Sequence, residues 1–177
     1  IRNGFRQENA PYKIEEERIS LAKKIVKEAD PDILLLNEAY FESENTEGIL
    51  MDYQKIFEFP YYSHGNYIKG LSKFWGSAIL SKFPITNLIN NNIGLRGNLK
   101  AEIKIKKIIL NIDLTHISPI PFLSSEQQEL AVNEILKNKK PYYIISGDFN
   151  SLSPQDQYNK AKLIESWKKI SDNPNKQ

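Results

Sequence analysis

Apolar and polar positions along the chain predict a helix followed by a buried strand. Residues 15–29 carry apolar side chains at helical spacing, and glutamates fill the first turn, where the helix dipole favours acidic groups. The segment Asp30-Pro31-Asp32 ends this helix. The continuous apolar run over residues 33–36 is then typical of a strand buried on both faces. This succession predicts an α/β domain.

The middle of the chain has a sequence pattern typical of antiparallel hairpins. Alternation of Ala101, Ile103 and Ile105 with charged residues predicts a strand with one solvated face. Strands are predicted over residues 76–81, 85–93, 99–106 and 108–115, and a further buried strand over residues 142–146. Helices are predicted over residues 46–57, 124–137 and 155–170. No repeat or linker divides the chain, so we expect one mixed α/β domain.

Composition narrows the chemistry that this domain can perform. The chain has 177 residues, of which 40% are apolar and 26% charged, and this balance excludes disorder and coiled coil. The chain has no Cys, which excludes a disulfide partner, a thiolate metal site and a Cys nucleophile. A net charge of +2 is too even to indicate nucleic-acid binding by field alone. No apolar run approaches the roughly 18 residues of a membrane span, and we expect a cytoplasmic monomer.

Polar clusters follow three of the apolar strands, and they are the candidate site. The first contains Glu38, the second His116, and the third Asp148 and Asn150. Ligands bind at the carboxyl ends of strands in open α/β sheets, so these ends are predicted to converge on one site. Each cluster also has a structural explanation. A Glu after a strand is commonly a solvated loop carboxylate, and a Gly-Asp-x-Asn segment readily forms a turn.

The ordered set of motifs resembles the endonuclease/exonuclease/phosphatase superfamily, which has the deoxyribonuclease-I-like fold. The resemblance covers nearly the whole chain, and its most specific part is the Gly-Asp-Phe-Asn quartet after an apolar strand. The motifs are Asn37-Glu38, the strand 76–85, Thr115-His116 and 147–151. The resemblance implies a four-layer α/β sandwich of two packed mixed β-sheets flanked by helices, incomplete in this chain.

The resemblance also implies a metal-dependent phosphoester hydrolase, either a phosphodiesterase or a phosphatase. Glu38 matches the family's metal-binding glutamate, and Mg²⁺ is the implied cofactor, with Mn²⁺ as a substitute. Asp148 matches the aspartate that orients and deprotonates the attacking water, and Asn150 matches the amide that fixes that aspartate and the phosphate. His116 matches the histidine that donates to a phosphate oxygen or to the leaving group. The implied substrate is a nucleic acid, a lipid head group or a small phosphodiester.

The sequence also departs from the family pattern, at both ends. The family's first-strand Asn would precede Ile1, and no His follows His116 to supply the family's second site histidine. We therefore expect residues 1–177 to be a single domain truncated at both ends. The alternative function is a catalytically inactive binding or scaffold protein that retains the fold. Outside the motifs, His64 is interpreted as a solvated loop residue, with the rim of the active-site groove beside Tyr67 as the alternative. Arg96 is interpreted either as a phosphate contact or as a hairpin-tip cation.

Overall fold

The computed structural model describes residues 5–6, 13–14, 16–40, 52–66, 75–93, 96–117 and 140–150. Two packed β-sheets dominate this part of the chain, and two helices cover the first of them. The elements in chain order are β1 (Phe5–Arg6), β2 (Lys13–Ile14), α1 (Glu16–Ala29), β3 (Ile33–Tyr40), α2 (Tyr53–Phe57), β4 (Tyr61–Asn66), β5 (Trp75–Ser81), β6 (Ile85–Ile93), β7 (Arg96–Ile105), β8 (Ile108–His116) and β9 (Tyr143–Asp148).

The first sheet is antiparallel, with strand order β3-β5-β4. Its central strand β5 is buried on both faces. Because side chains alternate along a strand, successive residues of β5 enter different core clusters. Ala78 and Leu80 belong to a core cluster that packs against the helices, whereas Ile79 belongs to a cluster shared with the second sheet. The same alternation divides the apolar run of β3, as expected for a strand covered on both sides.

The second sheet has strand order β6-β7-β8-β9. The predicted hairpins are confirmed, since β6, β7 and β8 pair antiparallel in sequence. The final strand β9 pairs parallel to β8, so the carboxyl ends of these two strands lie side by side. The predicted alternation of β7 is also confirmed, because Ala101 and Ile103 are buried while Lys104 is exposed.

The core between the sheets is formed by aliphatic side chains. The buried members are Ile79, Leu99, Ala101, Ile103, Ile112 and Leu114. Gly65 on β4 allows the close approach of the sheets, because a Cβ there would lie 2.8 Å from Leu99 Cδ1. The two sheets therefore pack face to face, and the carboxyl ends of β3, β8 and β9 meet at one edge of this core.

The helices lie on the outer face of the first sheet. Helix α1 agrees with the prediction over residues 15–29 and packs Ile19 and Val26 against the sheet. Helix α2 begins after Asp52, whose side chain accepts a hydrogen bond from the Lys55 backbone N–H (3.1 Å). It lies at the end of the helix predicted over 46–57, and residues 46–51 of that range lie outside the described residues. The predicted helices over 124–137 and 155–170 lie outside the described residues. No helix in the described ranges is long and apolar enough to cross a membrane.

The architecture is the α/β sandwich of two packed sheets that the sequence predicts. Within the described residues the strands of the first sheet pair antiparallel, and the second sheet is mixed because β9 pairs parallel to β8. Residues 61–66 form strand β4, although the sequence predicts a loop at His64. This segment contains a Gly and has no alternation of apolar and polar residues, so its strand geometry depends on hydrogen bonding to β5.

Candidate active site

A β-bulge near the end of β3 places the first polar cluster. Leu36 lies opposite Ala78 and Ala39 lies opposite Gly76, so two residues of β3 occupy the space of one residue on β5. The second of these residues, Glu38, adopts a left-handed backbone with φ of 55°. Such a bulge bends the strand and redirects its side chains. The bulge leaves the Glu38 side chain only partly buried at the edge of the sheet.

The first residue of the bulge, Asn37, connects the two sheets. Its Oδ1 accepts a hydrogen bond from Ser77 Oγ at 2.9 Å, and its Nδ2 donates to the Thr115 carbonyl oxygen at 3.0 Å. Ser77 is on β5 of the first sheet, while Thr115 is on β8 of the second. This chain of hydrogen bonds joins the end of β3 to the end of β8.

The ends of β8 and β9 bring the other two clusters together. Thr115 lies beside Gly147, and His116 lies beside Asp148, in the parallel register of these strands. His116 Nε2 is 3.9 Å from Asp148 Oδ2. The imidazole is almost fully buried, at 2% exposure, while the Asp148 side chain is 55% exposed. A buried imidazole therefore contacts a carboxylate that solvent can reach.

The predicted turn after β9 is present, and it holds the Asp148 carboxylate. Asp148 Oδ1 accepts a hydrogen bond from the Asn150 backbone N–H at 3.0 Å, and Asn150 has a left-handed φ of 43°. The Asn150 Nδ2 donates to the Ile117 carbonyl oxygen at 2.7 Å. Turn geometry and site geometry thus come from the same residues, because the Asx turn fixes one carboxylate oxygen and leaves the other facing His116.

Burial and the nearby charges together set the pKa of His116. Burial lowers the pKa of His116, and the positive charge of Arg96 lowers it further, while Asp148 and Glu38 oppose the shift. The net direction is below the usual pKa of histidine, so the imidazole is neutral at pH 7. Arg96 begins β7, and its neighbour Gly97 lies opposite His116. The hairpin-tip cation of the sequence is therefore close enough to influence the site.

A buried polar network lies behind the site on the other face of the second sheet, and sequence reasoning missed it. The carboxylate of Asp113, 2% exposed, accepts hydrogen bonds from Tyr143 Oη at 2.7 Å and Thr115 Oγ1 at 3.0 Å. It also accepts from Asn98 Nδ2, and Lys100 Nζ lies 3.6 Å away. The available signal was the alternation of polar residues at 111, 113 and 115 within an otherwise apolar strand.

The carboxylates of the site fit a hard divalent cation better than a soft one. Within the part of the chain that the structure describes, no group of three or more His, Cys, Asp or Glu side chains is arranged to hold a metal. Mg²⁺ requires no such cage, because it keeps most of its waters and takes one or two carboxylates together with substrate oxygens. The partly buried Glu38 and the exposed Asp148 provide oxygen donors of this kind.

The second histidine lies outside the site. His64 pairs with Ala78, whose side chain faces the helices, so His64 points to the same outer face. Its ring stacks on Tyr62 with centroids 5.5 Å apart, and burial lowers its pKa. His64 is exposed, as predicted, but it lies on a strand rather than in a loop.

Comparison with known proteins gives a family and a fold. A model of the Endonuclease/Exonuclease/phosphatase family matches residues 5–171. Comparison of the sequence with curated proteins gives no significant match.

Several solved structures share the fold at low sequence identity. An endonuclease/exonuclease/phosphatase from Beutenbergia cavernae is 16% identical over 97% of this chain and 51% of its own, with a TM-score of 0.65. TDP2 from Caenorhabditis elegans is 19% identical over 80% of this chain and 44% of its own, with a TM-score of 0.62. A β-hairpin deletion mutant of beta toxin from Staphylococcus aureus is 17% identical over 83% of this chain and 64% of its own, with a TM-score of 0.60. The chain therefore spans about half the length of the structures that it resembles.

Proposed function

The chain belongs to the endonuclease/exonuclease/phosphatase family, and on that premise we propose that the protein is a divalent-metal-dependent phosphoester hydrolase. The observation that carries the proposal is the 3.9 Å approach of His116 Nε2 to Asp148 Oδ2, with Glu38 near enough to influence the pKa of His116. One strand-end region thus contains a proton acceptor, a hydrogen-bond donor and an oxygen ligand. These are the groups that hydrolysis of a phosphoester requires.

The proposed cofactor is Mg²⁺, with Mn²⁺ as a substitute, and Glu38 would hold it. A bound divalent ion neutralises the negative charge that develops on the phosphate during displacement. The β-bulge at Glu38 supports this assignment, because bulges occur frequently next to active sites, where they redirect a side chain.

Asp148 is the proposed general base. Its Oδ1 is fixed by the Asn150 backbone N–H, so the carboxylate cannot rotate freely and the position of Oδ2 is defined. The exposed carboxylate can receive a water molecule from solvent. Asp148 then orients this water and takes its proton as the oxygen attacks phosphorus. The P–O bond to the leaving group breaks, and the departing oxygen keeps the electron pair and takes a proton from solvent. Asn150 holds the turn, and through it the base.

His116 and Arg96 are the proposed phosphate contacts. A neutral imidazole donates one N–H, and burial makes this hydrogen bond stronger than it would be in water. The guanidinium of Arg96 adds a permanent positive charge beside it, as shown by its effect on the pKa of His116. With a net charge of only +2, the chain as a whole supports a small phosphoester or a lipid head group over a long nucleic acid.

The experiment measures hydrolysis of a generic phosphodiester by the protein as the gene encodes it, with Mg²⁺ or Mn²⁺ and with a chelator. We expect turnover only with the metal. Asp148→Asn removes the proton acceptor and should lower kcat about 10²- to 10⁴-fold, the usual range for a general base.

The matched control is Asp32→Asn. Asp32 is also an exposed aspartate, but it lies next to the opposite end of β3, and its Oδ1 is 3.5 Å from Lys82 Nζ on the surface. This variant should retain wild-type turnover, because exposed ion pairs contribute little to stability. If the wild-type protein binds metal but hydrolyses no phosphoester, the protein is a binding protein that retains the fold.

A further inference from the structure

One backbone carbonyl, that of Thr115, is the point at which the three polar strand ends meet. Asn37 Nδ2 donates to this oxygen at 3.0 Å from the first sheet. Gly147 packs against the same oxygen so closely that a Cβ would lie 1.7 Å from it. The next residue after each of these three positions is a proposed functional residue, namely Glu38, His116 and Asp148.

Apolar side chains and the Asn37 amide both connect the two sheets near this edge. Apolar packing holds the sheets together, but it is non-directional and does not select which polar atoms face each other. The Asn37 amide is directional at both ends, since its oxygen accepts from Ser77 Oγ and its nitrogen donates to Thr115. Ser77 is 1% exposed and Thr115 0%, so both partners of the Asn37 amide are buried.

We propose that Asn37 is a positioning residue, whose side-chain amide sets the distance between Glu38 on the first sheet and the His116–Asp148 pair on the second. The proposal rests on the proposed function in one respect, that Glu38 holds the divalent metal. The bulge makes this coupling direct, because Asn37 and Glu38 together face Ser77. Any change in the contact between Asn37 and Thr115 therefore moves the adjacent Glu38.

The expected effect is on metal affinity. Groups that orient a metal ligand through hydrogen bonds typically contribute 10- to 100-fold to metal binding. Asn37→Ala removes both hydrogen bonds, and Asn37→Leu removes them while filling similar space. Both variants should weaken the binding of Mg²⁺ by about 10- to 100-fold.

The matched controls are Asn111→Ala and Asn111→Leu. Asn111 is likewise an asparagine whose Nδ2 donates to a backbone carbonyl, that of Pro141 at 3.1 Å, and it is 6% exposed. It lies on β8 five residues before His116, which is about 17 Å along the strand. These variants lose a comparable structural hydrogen bond and should bind Mg²⁺ as the wild-type protein does.

The test is titration of each variant with Mg²⁺ alone in a calorimeter, together with urea unfolding, on the protein as the gene encodes it. Glu38→Gln is the reference for loss of the ligand. The proposal is supported if the Asn37 variants bind Mg²⁺ more weakly than the Asn111 variants at equal loss of stability. It is overturned if the Asn37 variants bind Mg²⁺ with wild-type affinity, or if Glu38→Gln does so.

Turnover of a phosphodiester separates this inference from the proposed function. If metal binding depends on Glu38 and Asn37 but the wild-type protein hydrolyses nothing, the positioning role stands and the hydrolase proposal fails. If turnover falls in the Asn37 variants while Mg²⁺ affinity stays unchanged, the residue does not act through the metal ligand and the inference is wrong.

Discussion

Replacing Gly147 by alanine tests how closely β8 and β9 must approach to form the site. The new Cβ would lie 1.7 Å from the Thr115 carbonyl oxygen, while Cβ contacts shorter than 3.0 Å are essentially never found. The strands would therefore have to separate by about 1.3 Å, the difference between these distances. The obstacle is the backbone of the neighbouring strand β8, so no side-chain rotation relieves the contact.

Two costs follow from this geometry. Gly147 has φ of +147°, a conformation that is strained by about 1–3 kcal/mol for any other residue. Separation of the strands also breaks adjacent hydrogen bonds such as that from Ile117 N to the Asp148 carbonyl, 2.9 Å, each contributing about 0.5–1.5 kcal/mol. Together these estimates give about 3 kcal/mol of destabilisation.

Urea and thermal unfolding of Gly147→Ala measure this cost. For a chain of this size, about 3 kcal/mol corresponds to a fall in Tm of about 6–12 °C. Gly65→Ala is the matched control, because its Cβ would meet only side-chain atoms, Asn90 Oδ1 at 2.5 Å and Leu99 Cδ1 at 2.8 Å. Asn90 is exposed and can move, but Leu99 is buried and can yield only slightly, so we expect about 1–2 kcal/mol of destabilisation there. The reasoning is refuted if Gly147→Ala is no less stable than Gly65→Ala.

Three further predictions concern the buried network, pH and salt. Asp113→Ala leaves its buried partners unpaired and should lower the free energy of unfolding by about 3 kcal/mol. Tyr143→Phe removes one hydrogen bond and should lower it by about 1 kcal/mol. Equal losses for the two variants in urea unfolding would contradict this. Burial lowers the pKa of both His64 and His116 below 6.5, so protonation favours the unfolded state. Stability should therefore fall as pH drops below 6.5, and a double variant with Asn at both positions should show a flatter pH profile in unfolding assays. Contact with a single phosphate predicts that substrate affinity falls only slightly as the salt concentration rises. A steep fall in DNA affinity with rising salt would instead indicate many phosphate contacts.

The sequence predicts the helix and strand ranges well where a segment has a clear periodicity of apolar residues. Helix α1 and strands β6 to β9 lie close to their predicted ranges, because their apolar faces are clear in the sequence. The sequence does not predict strand β4, because residues 61–66 show no alternation of apolar and polar residues and the strand depends on pairing with β5. The sequence also predicted that polar strand ends converge, and the structure brings His116 and Asp148 together.

The bulge at Asn37 and Glu38 could not be predicted in the same way. A bulge is a property of two paired strands, and nothing in the local sequence shows that two residues of β3 face one residue of β5. The Asp113 network likewise requires knowledge of which strands are neighbours, because Tyr143 reaches it from β9. Pairing and register are long-range, and they place the groups that surround the predicted site residues.

The parallel pairing of β9 with β8 has a consequence for the order in which the domain folds. Strands β6, β7 and β8 pair with neighbours in sequence, so loop closure is inexpensive and they form early. Strand β9 must return over a long segment before its register with β8 is set. Because β9 also follows the other described strands in chain order, we expect the base of the proposed reaction to be the last of the strand-end groups to take its place as the domain folds.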